Sequence, residues 1–302
     1  EKMLASRLLV TQSHRRFLSS VSKFPVDKKN WKRPGRIVVI TSGKGGVGKT
    51  TASASFAYGL ALKGHRTCVV DFDIGLRNLD LHLGAERRVI FDFVNVIQNE
   101  CNLNQALIKD RRNSNLYLLA ASQTKDKDVL TFDGVERVLN ELTDQFEYVV
   151  LDSPAGIESG ARHAMYFADD AIITTNPEIS ACRDSDKMIG FISSKSRRAE
   201  NAQLEPVNQM LLVNRYDAER AENEEMLQLK DITELLGLNL LGVIPESKSV
   251  LTATNLGQPV ITLENDDTAM AYEDAVARYL GEEREMRFIS PPTKGFFANI
   301  FG

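Results

Sequence analysis

From Gly35 onward the chain alternates short apolar runs with longer stretches in which apolar residues recur at helical spacing. The runs are "RIVVITS", "TCVVDFD", "LYLLAA", "YVVLDSP", "AIITT", "QMLLVN" and "LLGVIP". Helical stretches lie at Thr50 to Lys63, Phe132 to Leu142, after Ser180, at Met226 to Leu236 and at Ala269 to Leu280. Continuous apolar runs read as strands, and the helices between them as crossovers. The pattern therefore predicts an α/β fold: a single domain with a mostly parallel, twisted sheet flanked by helices on both faces. The charged stretch "SSKSRRAENAQLEP" is expected to be a surface loop, and "ISPPT" a linker to the last nine residues. Three segments result: residues 1–34, the folded domain at 35–288, and 289–302.

The first segment differs from the rest. Lys2, Arg7, Arg15, Arg16, Lys23, Lys28, Lys29, Lys32 and Arg33 face only Glu1 and Asp27. "LASRLLVTQSHRRFLSS" can wind into an amphipathic helix with Leu4, Leu8, Val10, Phe17 and Leu18 against arginines, without the apolar centre of a secretory signal. The leader resembles a mitochondrial presequence, and Arg15-x-Phe17-x-x-Ser20 a matrix-processing pattern. The expected location is the mitochondrial matrix, peripheral on the inner membrane, with the plastid stroma as the alternative.

Composition narrows the function. The 302 residues carry a formal net charge of -4, which gives no overall attraction to nucleic acid. The three cysteines are far apart and form no C-x-x-C pair, so neither a disulfide framework nor a metal cluster is written here. No apolar run approaches the ~18 residues of a membrane span.

The candidate chemistry begins at the end of the first strand. Gly43-x-x-x-x-Gly48-Lys49-Thr50 follows a strand and opens a helix, the context a phosphate-binding loop needs. Glycines 43, 45, 46 and 48, with Val47 between them, let backbone N–H groups curl around phosphate oxygens. Lys49 reaches the β- and γ-phosphates, Thr50 is a magnesium ligand, and Thr51 completes the loop. Lys44 does not fit that geometry, because a side chain near the start of the loop points away from the phosphate its own backbone cradles. Asp71 and Asp73 stand at the carboxyl end of the second strand, where open α/β sheets bind ligands. Asp152 ends another apolar strand, in the position of a carboxylate that holds Mg²⁺ through water.

"KGGVGKTT" resembles the deviant phosphate loop of the ParA/MinD ATPases. Further stretches, "DFDIGLRNLDL", "VNVIQ", "NQALIKD", "ASQTKDKD", "DSPAGIESGA", "AIITTNPE", "RDSDKMIG" and "GVIPE", are similar to the MinD family of division-site ATPases from Arg36 to Gly302. The resemblance implies ATP and Mg²⁺ as cofactors and a homodimer formed with ATP, in which Lys44 crosses to the partner's phosphates. It further implies Asp73 as the residue that orients the attacking water, with Asp71 and Asp152 supporting the metal. Asn78 would lie in a first switch, Ser153, Pro154, Ala155 and Gly156 in a second, and Asn214, Pro245 and Glu246 would contact adenine. A MinC-like inhibitor and a MinE-like activator are the expected partners, with no nucleic acid.

The tail "KGFFANIFG" places Phe296, Phe297, Ile300 and Phe301 on one helical stripe behind Lys294, a peripheral membrane anchor too short to span and marginal alone in water. Two tails on one dimer raise effective affinity by roughly 10²–10⁴. The alternative is a ParA-type partition ATPase that binds DNA, for which the acidic balance is wrong and the phenylalanine-rich tail superfluous. An iron–sulfur carrier of the same superfamily needs a cysteine pair that is absent, and a monomeric kinase leaves Lys44 and the tail without a role.

Overall fold

All seven apolar runs become strands of one eight-stranded sheet in the computed structural model, which describes residues 35–125 and 129–291. The strands are β1 (Arg36–Thr41), β2 (Thr67–Asp71), β3 (Ile108–Lys109), β4 (Leu116–Leu119), β5 (Tyr148–Asp152), β6 (Asp170–Thr175), β7 (Asn208–Tyr216) and β8 (Asn239–Pro245), in the order β3-β4-β2-β5-β1-β6-β7-β8. Every pairing is parallel except β3 with β4 at the edge. The sequence reading missed β3, whose two residues carry no apolar run.

The helices are α1 (Lys49–Leu62), α2 (Leu79–His82), α3 (Phe93–Ile97), α4 (Leu103–Ala106), α5 (Phe132–Gln145), α6 (Ser159–Tyr166), α7 (Ile179–Lys195), α8 (Arg197–Glu200), α9 (Ala218–Glu222), α10 (Leu229–Leu236), α11 (Ser249–Asn255) and α12 (Asp267–Tyr279). The five expected helices are α1, α5, α7, α10 and α12, with ends shifted by capping. Thr131 accepts from the Gly134 N–H to start α5, Asp266 caps α12, and left-handed Gly237 stops α10. The "SSKSRRAENAQLEP" expectation is corrected: α7 runs through Lys195, and buried Ser196 caps α8 by accepting from the Ala199 N–H. A serine run reads as loop by composition, yet one of its members ends one helix and starts another.

Alternation along each strand divides the core between the two faces of the sheet. Val39, Val70, Leu151 and Ile173 point to one side, under α3 to α7. Val38, Ile40, Val69, Val150 and Ile172 point to the other, where α1 and α12 pack. Strands buried on both faces have no polar positions to spare, which is why they appear as unbroken apolar runs. The chain stays packed through Ile289, one residue into the stretch read as linker. The leader, and the tail residues Lys294, Phe296, Phe297, Ile300 and Phe301, lie outside the described residues. Among the described residues no helix is long and apolar enough to cross a membrane.

Candidate active site

Strand order decides which side chains meet. β1 lies beside β5 and β5 beside β2, so the loop leaving β1 is next to Asp152, and Asp71 stands in register with Asp152. Residues distant in sequence thus converge at the carboxyl edge.

Within the loop the glycines separate into different roles. A Cβ at Gly45 or Gly46 would meet nothing within 4 Å, so these two border open space of the kind a phosphate fills. Gly48 has φ +92°, and a Cβ there would lie 2.2 Å from the Asn214 amide nitrogen. At Gly43 a Cβ would lie 2.2 Å from the backbone of Asp184, so this glycine lets the loop press onto α7 and does not itself widen the cradle. Asn214 is buried and donates to the Val47 carbonyl at 2.7 Å, which makes it a brace behind the loop.

Lys49 is buried, and its amine donates to the Ser42 hydroxyl at 2.9 Å. Burial pulls its pKa down while Asp152 and Asp73 pull it back up. Ser42 is the hub of the loop: its hydroxyl donates to the Lys44 carbonyl at 2.7 Å, and its carbonyl accepts from the Gly156 N–H at 3.0 Å. That last bond ties the segment Ser153 to Gly156, expected to be a second switch, to the phosphate loop. Lys44 points away from the cradle and pairs with Glu178 at 2.8 Å, with Ser180 at 3.5 Å. The ion pair holds the Glu178 carboxyl below the usual carboxylate range.

Asp152 accepts from the Ser53 hydroxyl at 2.8 Å, with Thr50 alongside, and burial pushes its carboxyl up to about 6. Asp71 is raised well above the normal range by burial first and by Asp152 second. Its two oxygens accept the N–H groups of Asp73, at 2.9 Å, and Leu79, at 3.2 Å, so its carboxylate also shapes the segment between them, which contains Asn78 and is expected to be the first switch. Asp73 is half-buried and Asn78 exposed at the N-terminus of α2. Two buried carboxylates in register, both resisting ionisation, form a donor set short of positive charge, and a hard cation fits it. Among the described residues no three His, Cys, Asp or Glu side chains cluster as a metal centre. The fitting ion is therefore one held by one or two carboxylates, a hydroxyl and phosphate oxygens, which is the habit of Mg²⁺. Pro245 ends β8, and exposed Glu246 pairs with Arg220 at 3.4 Å, so these two stand at the rim.

Sequence reasoning missed Ser42, Ser53 and Glu178. Ser53 lies four residues after Lys49, one helical turn on, and that spacing was a usable signal. Glu178 had none, because its partner is 134 residues away.

The description "CobQ/CobB/MinD/ParA nucleotide binding domain" belongs to a family model that matches residues 38–260. The septum site-determining protein MinD of Escherichia coli (strain K12) is 60% identical over 268 residues, 88% of this chain and 99% of that protein. The solved MinC:MinD cell division protein complex of Aquifex aeolicus superposes with a TM-score of 0.75 at 35% identity, covering 84% of this chain and 99% of that one. MinD of Pyrococcus horikoshii OT3, solved with Mg-ADP, gives a TM-score of 0.69 at 28% identity over 80% and 94% of the two chains.

Proposed function

The chain belongs to the MinD family of nucleotide-binding ATPases, and on that premise we propose that it cycles between a free monomer and an ATP-bound homodimer on a membrane. Its cofactors are ATP and Mg²⁺. In the proposed cycle the dimer recruits a MinC-like division inhibitor, and a MinE-like activator releases it by stimulating hydrolysis.

The observation that carries this reading is the division of labour between the two lysines. Lys49 is turned into its own loop, while Lys44 stands outside it on a half-exposed pair with Glu178. An exposed ion pair contributes only ~0–1 kcal/mol, so Lys44 can leave Glu178 at little cost for a neighbour's phosphates. The segments that follow β2, β5 and β6 expose Leu76 (64%), Ile157 (42%) and Ile179 (58%) at the same edge, apolar surface that a second copy would cover.

Phosphoryl transfer demands positioning and charge neutralisation more than covalent help. The loop N–H groups and Lys49 bind the phosphates, Asp73 orients the water, and Thr50 with Asp152 and Asp71 hold the metal, with Asn214, Pro245 and Glu246 on the base. Mg²⁺ supplies neutralisation of the phosphate charge. Phe296, Phe297, Ile300 and Phe301 insert into lipid behind Lys294, and the cationic leader supports delivery to the mitochondrial matrix.

The test is co-sedimentation of the chain without residues 1–34 on anionic liposomes, in ATP and in ADP, beside a version ending at Thr293. Pelleting that needs both ATP and the tail supports the cycle. Pelleting indifferent to both overturns it and turns attention to DNA as the ligand.

A further inference from the structure

Thr51 and His82 meet where α2, at the end of the first switch, packs on α1. Thr51 Oγ1 lies 3.3 Å from His82 Nε2, and His82 Nδ1 lies 3.1 Å from the Asn78 carbonyl oxygen. A carbonyl only accepts, so Nδ1 carries the proton. In a neutral ring Nε2 is then a lone pair, and the Thr51 hydroxyl must be the donor. Thr51 has one hydrogen to give. Phosphate oxygens, like that lone pair, only accept.

We propose that His82 is a positioning residue that competes with bound nucleotide for the single hydroxyl hydrogen of Thr51, tying α2 to the phosphate loop while the loop is empty. The proposal rests on the reading that the loop from Gly43 to Thr51 holds nucleotide. When phosphate takes the hydrogen, the neutral ring is left with an unpartnered acceptor against α1, and α2 loses one of its ties. The Leu79 N–H that Asp71 holds sits at the start of the same turn, so the loosening is transmitted to the switch carboxylates. The far end of α2 stays fixed: Arg112 donates to the Leu83 carbonyl at 2.8 Å and to the Gly257 carbonyl at 2.9 Å.

Protonation resolves the competition. An imidazolium donates from both nitrogens, so Nε2 gives its proton to the Thr51 oxygen while the Thr51 hydrogen goes to phosphate, and both contacts survive. Nucleotide binding therefore takes up a proton at His82. The charged group acting on the ring is Asp80 on its own turn, paired with Arg77 at 2.7 Å, while Lys49, the one charged residue of α1, turns its amine to Ser42. On α11 no residue of Ser249–Asn255 is charged, and Lys248 precedes it. Burial lowers the ring's affinity for the proton, and the Asn78 carbonyl and Asp80 partly restore it.

The experiment measures equilibrium binding of a fluorescent ADP analogue with Mg²⁺ between pH 5.5 and 8.5, for the full chain, for His82→Leu and for Lys49→Ala. One hydrogen bond of the usual strength corresponds to about tenfold in affinity. Wild-type binding is expected to tighten about tenfold relative to His82→Leu as pH falls, and the variant to bind several-fold more tightly than wild type at pH 8. Parallel pH profiles for the two proteins overturn the proposal. Should the leucine variant fail to fold, nitrogen NMR of the wild-type ring decides: an Nδ1–H tautomer whose pKa rises on adding Mg-ADP supports it, and an Nε2–H tautomer or an unchanged pKa overturns it. Undiminished ADP binding by Lys49→Ala would instead mean that the loop reading itself has failed.

Discussion

Gly43→Ala and Gly45→Ala, two residues apart in one loop, are expected to fail in opposite ways. A methyl at Gly43 would sit 2.2 Å from the Asp184 carbonyl carbon and oxygen and 2.5 Å from its Cβ, whereas ordinary contact begins at 3.4 Å. Backbone cannot rotate aside as a side-chain tip can, so α7 must retreat by roughly 1 Å in an interior packed at crystal-like density. Overpacking of this kind costs ~1–3 kcal/mol, and a domain of this size loses ~2–4 °C of Tm per kcal/mol. Gly43→Ala should therefore melt about 2–12 °C lower. Because α7 follows directly on Glu178, the same retreat should disturb the Lys44 ion pair. At Gly45 the added methyl meets nothing, so unfolding should shift by less than about 0.5 kcal/mol. That methyl does stand where phosphate must approach backbone N–H groups, and nucleotide affinity should fall by at least about tenfold. Thermal melts and ADP titrations on both variants settle the matter. Equal losses of stability, or a Gly43→Ala protein as stable as wild type, would refute the assignment of Gly43 to helix packing.

The remaining expectations concern the metal pair, the brace, the water and the tail. Burial raises the Asp152 carboxyl from 3.8 to about 6, so this group binds more protons folded than unfolded, and nucleotide-free stability falls as pH rises from about 4 to 6. Asp152→Asn should accordingly melt above wild type at pH 7 by more than at pH 5, and added Mg²⁺ should raise Tm at pH 7 only in wild type. Asn214→Ala strands the Val47 carbonyl and should cost ~1–3 kcal/mol in urea unfolding, together with weaker nucleotide binding. Asp73→Ala should bind ATP and stay dimeric by light scattering while its phosphate release stops; unchanged turnover would remove Asp73 from the water. Phe297→Glu should keep ATP binding and lose liposome pelleting, and retained pelleting would rule the tail out as anchor.

The sheet and the phosphate loop were legible because their information is local. An unbroken apolar run declares a strand covered on both faces, and a glycine-rich turn between strand and helix declares a phosphate cradle. What escaped was information that exists only after folding. β3 is two residues long and made by an edge pairing, and Ser196 became a cap only because α7 ended there. Gly43 looked like any loop glycine, yet its reason is Asp184, 141 positions later, which the strand order brings against it. Asn214 is named by family resemblance as an adenine contact, and no local pattern announces the second task that its amide has here, the bond to the Val47 carbonyl.

The same geometry shows which contacts a bound nucleotide or a second copy would have to displace. The cradle has its glycines in place and Asp71 in register with Asp152, and the charged residues around it are each engaged within the protein. Lys49 rests on Ser42, Lys44 on Glu178, and Asp71 on the backbone of the first switch. Each is a contact of modest strength, formed by one or two hydrogen bonds or by a half-exposed ion pair, and so one that a phosphate or a second copy can displace without unfolding anything. Ser42 connects three of these elements, through Lys49, the Lys44 carbonyl and Gly156. Drawing Lys49 onto a phosphate frees the Ser42 hydroxyl from one of its two partners, and that hydroxyl is what holds the backbone of Lys44. The bond from that hydroxyl to the Lys44 carbonyl does not depend on Lys49, so in the proposed cycle the loop backbone stays held while the Lys44 side chain, engaged by Glu178 and Ser180, is the part that a second copy's phosphates draw away.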